Sequence, residues 1–211
     1  MTENIKVFKQ NSIRIATSKG NVYVDSFEMQ ETPHDAAYVL ITHDHYDHFS
    51  PESIEKVACK DTILVAPENM LEKAKEAAGY VSKIVTVKPN EKKTIDGLEI
   101  ETIPSYNIGK PFHPESAGWV GYIINADGKR IYVAGDTDAI PEAKQVKCDV
   151  ALIPIGGKYT MDAKEAAELI NIMKPAVAIP VHYGQVVGNL KNGEEFAQNV
   201  KAPVKVELMI R

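Results

Sequence analysis

An apolar segment that runs directly into a cluster of histidines and aspartates sets the strongest limit on how this chain can fold. Residues 37–41 are Ala-Tyr-Val-Leu-Ile, and residues 42–48 are Thr-His-Asp-His-Tyr-Asp-His. A continuous apolar run of this length is typical of a strand that is buried on both faces. The chain is therefore expected to form a layered structure in which a buried strand ends at this polar cluster.

The cluster has the residue types and the spacing of a transition-metal site. His43 and His45 are separated by one residue, so both imidazoles point to the same side of an extended segment. With Asp47 and His48 they supply four ligands, which can serve one metal ion or be divided between two. Neutral imidazole suits Zn, Fe, Mn, Ni or Cu, and the carboxylate adds a hard oxygen. A solvated polar loop is the alternative, and the wholly apolar strand before the cluster argues against it.

Three later residues can complete the site. Asp136 follows an apolar strand, and Gly135 before it allows a close approach of the backbone. His182 also stands at the end of an apolar strand, and His113 lies in a loop rich in Gly and Pro. Taken singly, the aspartate could be a turn or N-cap residue and either histidine could be structural. Taken together they predict one site, provided that their strands are neighbours whose ends meet at one edge of a sheet.

The rest of the chain alternates between short Val- and Ile-rich segments and helical segments, without a linker between them. We therefore predict a single domain, residues 1–211, with a layered α/β architecture. Hairpin turns are predicted at Lys19-Gly20-Asn21, Asp96-Gly97 and Asp127-Gly128. Helices are predicted from Ser50 to about Ala58, from Pro67 to near Gly79, and from a capping box of Asp162 and Glu165 to Pro175. The predicted strands are 13–16, 22–25, 37–41, 63–66, 83–87, 93–95, 98–103, 119–125, 130–134, 150–154, 176–180 and 204–210.

The composition is that of an ordinary globular protein and argues against nucleic-acid and membrane partners. Apolar residues make up 44% of the 211 residues, charged residues 25%, and the net charge is −5. The lysines are interleaved with acidic residues and form no basic stripe, so no nucleic-acid partner is expected. No segment approaches the ~18 apolar residues of a membrane span, and no apolar signal segment is present, so a cytoplasmic location is predicted. Cys59 and Cys148 form no CxxC pair and are predicted to be reduced, buried thiols.

Three motifs resemble the metallo-β-lactamase superfamily of αββα hydrolases when they are taken in chain order. They are His43-x-His45-x-Asp47-His48, Gly135-Asp136-Thr137 and His182. Residues 118–122, Gly-Trp-Val-Gly-Tyr, and residues 154–157, Pro-Ile-Gly-Gly, are similar to the small single-domain branch called UlaG-like metal-dependent hydrolases. The resemblance covers the chain from about residue 12 onward, and it implies an α/β (α+β) fold of four layers, an αββα sandwich.

The resemblance also implies a two-metal site built from the same motifs. Carried over residue by residue, it assigns His43 and His45 to the first metal, Asp47, His48 and His182 to the second, and Asp136 to both. Many members of the superfamily supply a third histidine to the first metal shortly after the strand that matches residues 100–103. This chain has Ser-Tyr-Asn at residues 105–107 instead, and the remaining candidate is His113. The alternatives are Tyr106, Asn107 or a water molecule in that position.

The predicted cofactors are two divalent transition-metal ions, zinc first, with Mn, Fe or Ni as alternatives. Two such ions ~3.5–4 Å apart would share a bridging water, and their charge would lower its pKa towards ~7. The resulting hydroxide would attack a carbonyl or phosphorus centre, and the metals would stabilise the oxyanion. Asp47 could accept or relay a proton in addition to binding metal. The predicted function is hydrolysis of a small ester, lactone or phosphoester.

The expected partner is a small-molecule substrate that is held by loops at the rim of the site. The predicted substrate-binding residues are Tyr106, Asn107, Gly157 and Tyr159, with Lys110 or Lys158 as a clamp for an anion. Two other functions stay open at this point. One is a di-iron redox protein, which no flavodoxin-like segment supports. The other is a non-catalytic metal-binding protein on the same scaffold, against which the near-complete ligand set argues.

Overall fold

The apolar segments form two sheets, which lie face to face in the computed structural model of residues 2–210. In each sheet the strands lie side by side in the order in which they follow along the chain. The N-terminal sheet comprises β1 (Ile5–Val7), β2 (Ile13–Thr17), β3 (Gly20–Val24), β4 (Ala36–Leu40), β5 (Ala58–Pro67) and β6 (Lys83–Val87). The C-terminal sheet comprises β7 (Lys92–Ile95), β8 (Leu98–Pro104), β9 (Val120–Ala126), β10 (Lys129–Val133), β11 (Val150–Pro154), β12 (Val177–Val181) and β13 (Lys205–Val206).

Strand direction determines where the loops of the site begin. In the N-terminal sheet β1 to β3 pair antiparallel, and β3 to β6 pair parallel. In the C-terminal sheet β7 to β10 pair antiparallel, and β10 to β13 pair parallel. Strands β8, β10 and β12 therefore run in the same direction, and the loops that follow them start at one edge of the C-terminal sheet.

The helices begin and end where capping residues allow it. They are α1 (Pro51–Val57), α2 (Leu71–Ala74), α3 (Pro141–Gln145), α4 (Ala163–Met173) and α5 (Lys191–Asn199), and short 3-10 segments flank α2 at Glu68–Met70 and Lys75–Ala77. Ser50 caps α1 through a hydrogen bond from the Ser53 amide, as predicted. Asp162 and Glu165 form the predicted capping box of α4. None of the helices in residues 2–210 is long and apolar enough to cross a membrane.

Strand β4 shows how the four layers arise. Leu40 belongs to the core that also contains Ile124 and Val133 of the other sheet. Its neighbour Val39 belongs to a second core with Ile54 of α1. Because successive side chains point to opposite faces, the apolar run is buried on both, as expected. Helices α1 and α2 cover the N-terminal sheet, and α3 to α5 cover the C-terminal sheet, which confirms the αββα sandwich.

Several predicted elements differ from those observed. The strand predicted at 204–210 contains only Lys205–Val206, because β13 pairs with β12 through two residues. The helix predicted from Pro67 to Gly79 is divided into short α and 3-10 turns. Strand β1 and helices α3 and α5 were not predicted. Cys59 and Cys148 are free thiols, as predicted, but both are half-buried rather than buried.

The condition that the strands before the site residues be neighbours in one sheet is not met. Strand β4 lies in the N-terminal sheet, and β11 separates β10 from β12 in the C-terminal sheet. The site residues meet because the two sheets face each other, so that the end of β4 lies opposite the ends of β8, β10 and β12.

Candidate metal centre

The loop after β4 brings four candidate ligands into a tight turn. The amides of His48 and Phe49 both donate to the carbonyl oxygen of His45, at 3.0 and 2.8 Å. The turn ends at Ser50, the N-cap of α1. It places Nε2 of His43 3.0 Å from Nδ1 of His45. The spacing of the motif is therefore converted into close contact between imidazoles.

Asp136 reaches the cluster because glycine precedes it. Gly135 has φ +66°, and a Cβ at this position would lie 3.0 Å from the Cβ of Thr42. The structure thus shows the close backbone approach that the sequence predicted for this glycine. The hydroxyl of Ser105 donates to the carbonyl oxygens of Ala134 and Asp136, at 3.0 and 2.9 Å. These contacts hold the loop after β10 against the end of β8.

His113 and His182 both have an uncommon backbone conformation. Both are left-handed, with φ +54° and +57°, which is rare for a residue other than glycine. Each is held by a hydrogen bond between backbone groups. The backbone N–H of Asn107 donates to the His113 carbonyl oxygen at 2.8 Å, and the backbone N–H of His182 donates to the Gln10 carbonyl oxygen at 2.9 Å. Such strain, held by surrounding contacts, is concentrated at functional sites.

The two carboxylate oxygens of Asp136 face two different sets of histidines. Oδ2 lies 3.2 Å from Nε2 of His113 and 3.9 Å from Nε2 of His43. Oδ1 lies 3.3 Å from Nε2 of His48 and 3.3 Å from Nε2 of His182. The structure thus brings together all seven residues that the sequence proposed as ligands. They form two groups whose potential ligand atoms lie within 4.8 Å of one another: His43, His45, His113 and Asp136 in one, and Asp47, His48 and His182 in the other.

Hydrogen bonds around the cluster determine which ring nitrogen faces inward. Nδ1 of His48 lies 2.7 Å from Oδ2 of Asp25, a fully buried carboxylate. The Thr42 hydroxyl donates to the same oxygen at 2.6 Å, which leaves its own oxygen free to accept from Nδ1 of His43 at 3.0 Å. These contacts favour a proton on Nδ1 of both histidines and direct Nε2 towards the cluster, the arrangement typical of metal-binding histidines.

The electrostatics keep the carboxylates ionised. Burial alone would raise the pKa of Asp136, but His182 and His48 beside it hold that pKa well below its usual value. Burial is likewise outweighed at Asp47, where the neighbouring His182 and the charge of His48 lower the pKa to about 2. Burial lowers the pKa of His43 well below its usual value. Ionised carboxylates and a neutral imidazole are the forms that bind metal.

Unpartnered buried atoms provide a test of whether a metal fits this cluster. Nε2 of His48, His113 and His182 and Oδ1 of Asp136 are buried and have no hydrogen-bond partner among the described residues. Buried polar atoms are nearly always paired, so four such atoms facing one another require an explanation. Ligands ~2.0–2.1 Å from a tetrahedral zinc ion lie about 3.3–3.4 Å apart, which matches most of the distances above. The residues present therefore fit divalent cations.

The four predicted substrate-binding residues occupy different environments. Tyr159 lines a cavity of about 630 Å³ beside the cluster, and Tyr106, Asn107 and Gly157 are not among its lining residues. The Tyr106 hydroxyl donates to Glu142 at 3.1 Å. The side-chain amide nitrogen of Asn107 donates to the carbonyl oxygen of Tyr159 at 2.6 Å and lies 3.2 Å from Nδ1 of His113.

Comparison with known proteins identifies the family to which this chain belongs. A profile of the β-lactamase superfamily domain matches residues 4–182, most of the chain and all seven clustered residues. The chain belongs to the metallo-β-lactamase superfamily. Its relatives in this superfamily include two archaeal proteins that are described as UPF0173 metal-dependent hydrolases. That of Pyrococcus abyssi is 32% identical over 181 residues, which are 83% of this chain and 79% of the relative. That of Methanopyrus kandleri is 33% identical over 178 residues, 79% of this chain and 75% of the relative.

A solved structure extends the match to the whole metallo-β-lactamase fold. The crystal structure of a candidate metal-dependent hydrolase from Parabacteroides distasonis superposes with a TM-score of 0.82 at 30% identity, over 98% of this chain and 93% of that one. The chain is therefore an enzyme, a metal-dependent hydrolase of this superfamily.

Sequence reasoning missed the residues that orient the cluster. Asp25 and Thr42 hold His48 and His43, and the carbonyl oxygen of Gln10, a fully buried residue with φ +54°, accepts a hydrogen bond from the His182 amide. The Gln10 side chain also approaches Oδ2 of Asp47, at 3.4 Å. The signal at Asp25 was weak, because an aspartate next to a strand is ordinarily a turn residue.

Proposed function

We propose that the cluster holds two divalent metal ions and that Asp136 bridges them. The first ion would be bound by His43, His45 and His113, and the second by Asp47, His48 and His182. The observation that carries this proposal is the division of the Asp136 carboxylate, with one oxygen facing each group. A single-metal site would leave one group of buried nitrogens without a partner.

Zinc is the first choice for both ions, with Mn, Fe and Ni as alternatives. Imidazole and carboxylate together suit all four, and the spacing of about 3.3 Å between ligand atoms suits tetrahedral zinc. When bound, the metals supply an activated water as nucleophile and positive charge that stabilises an oxyanion. Asp25 and Thr42 contribute by fixing the orientation of His48 and His43.

We propose hydrolysis of a small ester, lactone or phosphoester as the reaction. For an ester, the oxygen of water forms a bond to the carbonyl carbon, the bond to the alcohol oxygen breaks, and a proton from water ends on that oxygen. Asp47 lines the cavity with 7% of its surface exposed, so its carboxylate can accept a hydrogen bond from the attacking water. With a pKa of about 2 it stays ionised at neutral pH and passes a proton on rather than storing it.

Elemental analysis of the wild type and two variants tests the two-metal arrangement. We expect two equivalents of metal in the wild-type chain after reconstitution, and at most one in Asp136→Ala. We expect Asp136→Ala to lose hydrolytic activity far more than stability. As a matched control, Asp61→Ala removes an exposed aspartate of β5 and should retain two equivalents. Less than one equivalent in the reconstituted wild type, or wild-type metal content and turnover in Asp136→Ala, would refute the proposal.

The role of His113 is tested separately, because it is the ligand least supported by the sequence. We expect His113→Ala to retain the second metal and to lose affinity for the first. A metal-bound structure should place a nitrogen of His113 about 2.0–2.2 Å from the ion that His43 and His45 bind. A fully metallated site in which His113 lies beyond hydrogen-bonding range would leave Asn107, Tyr106 or water as the third ligand.

A further inference from the structure

The cavity beside the cluster combines a floor of candidate metal ligands with walls that are mainly apolar. The floor is formed by the candidate metal ligands, namely His45, Asp47, His113, Asp136 and His182. The walls carry apolar surface from Tyr46, Phe112, Tyr159, Val186 and Val187. At about 630 Å³ the cavity falls within the ~300–1,000 Å³ that small-molecule sites occupy. It therefore has room for a substrate considerably larger than its scissile group.

Two aromatic pairs hold the apolar walls in place. Tyr46 meets Phe27 edge to face, with ring centroids 5.8 Å apart. Phe112 meets Tyr159 edge to face at 4.8 Å. Edge-to-face packing is favourable and orients each ring. Tyr46 is nevertheless 65% exposed and Phe112 41% exposed, so each presents an apolar ring to the opening. Apolar surface of this kind around a cavity is typical of a ligand site.

One cation at the opening lacks a carboxylate partner. Among residues 2–210, Lys158 is the only lysine that lines the cavity, and its Nζ lies 4.9 Å from the ring centroid of Tyr159. Lys110 is already engaged by Asp138 and by the carbonyl oxygen of Thr160. Within the described residues no carboxylate pairs with Lys158, so its charge is available to a ligand.

We propose that the substrate is an amphiphilic anion. It would be an ester or lactone that carries an aromatic or branched apolar group and, separately, an anionic group. The apolar group would lie against Phe112 and Tyr159, the anionic group would reach Lys158, and the scissile carbonyl would lie over Asp136. This inference rests on the proposed function and specifies its substrate class. Proposed as ligands, the two lining carboxylates, Asp47 and Asp136, would be neutralised by metal and would not repel an anion.

A set of four methyl esters tests both features of the substrate. The probes are the monomethyl esters of 3-phenylglutarate and 3-methylglutarate, together with the same two esters in which the free carboxylate is replaced by a carboxamide. Proton release measures their hydrolysis by the metal-loaded enzyme. We expect the phenyl ester with the free carboxylate to have the highest kcat/KM of the four.

Two variants assign the preferences to residues. Lys158→Gln should raise KM for the carboxylate esters about fivefold and leave the carboxamides unchanged, the size expected for one exposed ion pair. Phe112→Ala should raise KM for the phenyl esters about tenfold and leave the methyl analogues unchanged, since it removes an apolar contact. Neither should change kcat greatly. Lys60→Gln and Ile172→Ala are matched controls, since neither residue lines the cavity.

Calorimetry separates failure of this inference from failure of the proposed function. The ligands are 4-phenylbutyrate and its neutral amide, and both are added to the metal-loaded wild type and to Lys158→Gln and Phe112→Ala. We expect Lys158→Gln to weaken binding of the carboxylate only and Phe112→Ala to weaken binding of both ligands.

If the affinities change in this way while no ester is hydrolysed, the substrate-binding inference stands and the ester reaction is wrong. If esters are hydrolysed but neither variant changes KM or affinity, the inference is overturned and the proposed function stands. A dimer that Phe112→Ala dissociates in sedimentation would assign the apolar walls to a second copy of the chain and would also overturn it.

Discussion

A single aspartate outside the cluster controls the orientation of two of its histidines. Asp25 is fully buried at the end of β3, with φ +47°. Its carboxylate contacts Nδ1 of His48 and accepts the Thr42 amide and hydroxyl, at 2.8 and 2.6 Å. The Asn11 side chain donates to the same carboxylate at 2.7 Å. A carboxylate that accepts from several donors cannot be replaced by an amide without leaving one donor unpaired.

We therefore expect Asp25→Asn to weaken metal binding although Asp25 itself touches no metal. Loss of a hydrogen-bond partner behind a histidine ligand typically lowers metal affinity about 10–100-fold. Titration against a competing chelator measures the effect, and the fluorescence of Trp119, the only tryptophan of the chain, reports metal arrival, because its ring lies 4.9 Å from that of His43.

The control for this experiment is Asp35→Asn. Asp35 accepts hydrogen bonds from Asn21 and Tyr23 at the far end of the same strands, so it matches Asp25 in chemistry but not in place. Asp35→Asn should leave metal affinity unchanged. Equal affinities in both variants would show that Asp25 supports the fold rather than the metal site.

Residues that belong to a local sequence motif could be predicted, and residues that act through tertiary contacts could not. The HxHxDH spacing and the apolar strand before it are local, so His43 to His48 were recognised directly. His113 could be proposed because it was the one unassigned histidine that follows the motif. Asp25 and Gln10 act through contacts with residues 17 to 172 positions away in the chain, and no local pattern records such contacts.

At the scale of elements, the loops after β11 and β12 depend on a glycine between them. A Cβ on Gly156 would lie 2.5 Å from Cγ2 of Val187 and 2.6 Å from the carbonyl oxygen of His182. The second contact is with backbone, so it cannot be relieved by turning a side chain. Gly156 thus allows the loop that carries Tyr159 to pack against the loop that carries His182.

We expect Gly156→Ala to displace the His182 loop. The substitution should lower the free energy of unfolding by about 1–3 kcal/mol, the usual range for overpacking, and should also reduce metal content at the second group. Urea denaturation and elemental analysis measure the two effects. Gly79→Ala provides the control, because nothing lies within 4 Å of a Cβ at that position, and its effect should stay within about 0.5 kcal/mol. Unchanged metal content in Gly156→Ala would show that the two loops can separate without disturbing the site.

The elements that sequence reasoning missed are those with a weak apolar pattern. Helix α5 contains Gly193 and buries little besides Phe196, so its sequence shows no apolar periodicity from which a helix could be predicted. Helix α3 has five residues and buries Ala143 alone. The predicted strand 204–210 has alternating polarity, but it lies at the edge of the sheet and pairs over two residues only. Long, strongly apolar elements such as β4 and α4 were predicted closely, because burial dominates their composition.

At the scale of the whole molecule, the candidate metal centre joins the two sheets. His43, His45, Asp47 and His48 follow β4 of the N-terminal sheet, whereas His113, Asp136 and His182 follow strands of the C-terminal sheet. Each proposed metal draws ligands from both sheets. Without metal, the candidate metal centre contains several buried ionisable groups and unpartnered nitrogens. Metal should therefore contribute to stability as well as to chemistry.

We expect removal of metal by a chelator to lower the melting temperature of the whole chain. A ligand at 1,000 times its Kd stabilises the folded state by about 4 kcal/mol per site, which corresponds to roughly 8–16 °C for a domain of this size. Differential scanning calorimetry of apo and metal-loaded protein measures the shift. Asp136→Asn, which removes the bridging charge, should show a smaller metal-dependent shift than the wild type, whereas the exposed-site control Asp61→Ala should shift as the wild type does. If chelation leaves the melting temperature of the wild type unchanged while its metal is removed, the two sheets are held together by their apolar core alone, and the metals serve only the reaction.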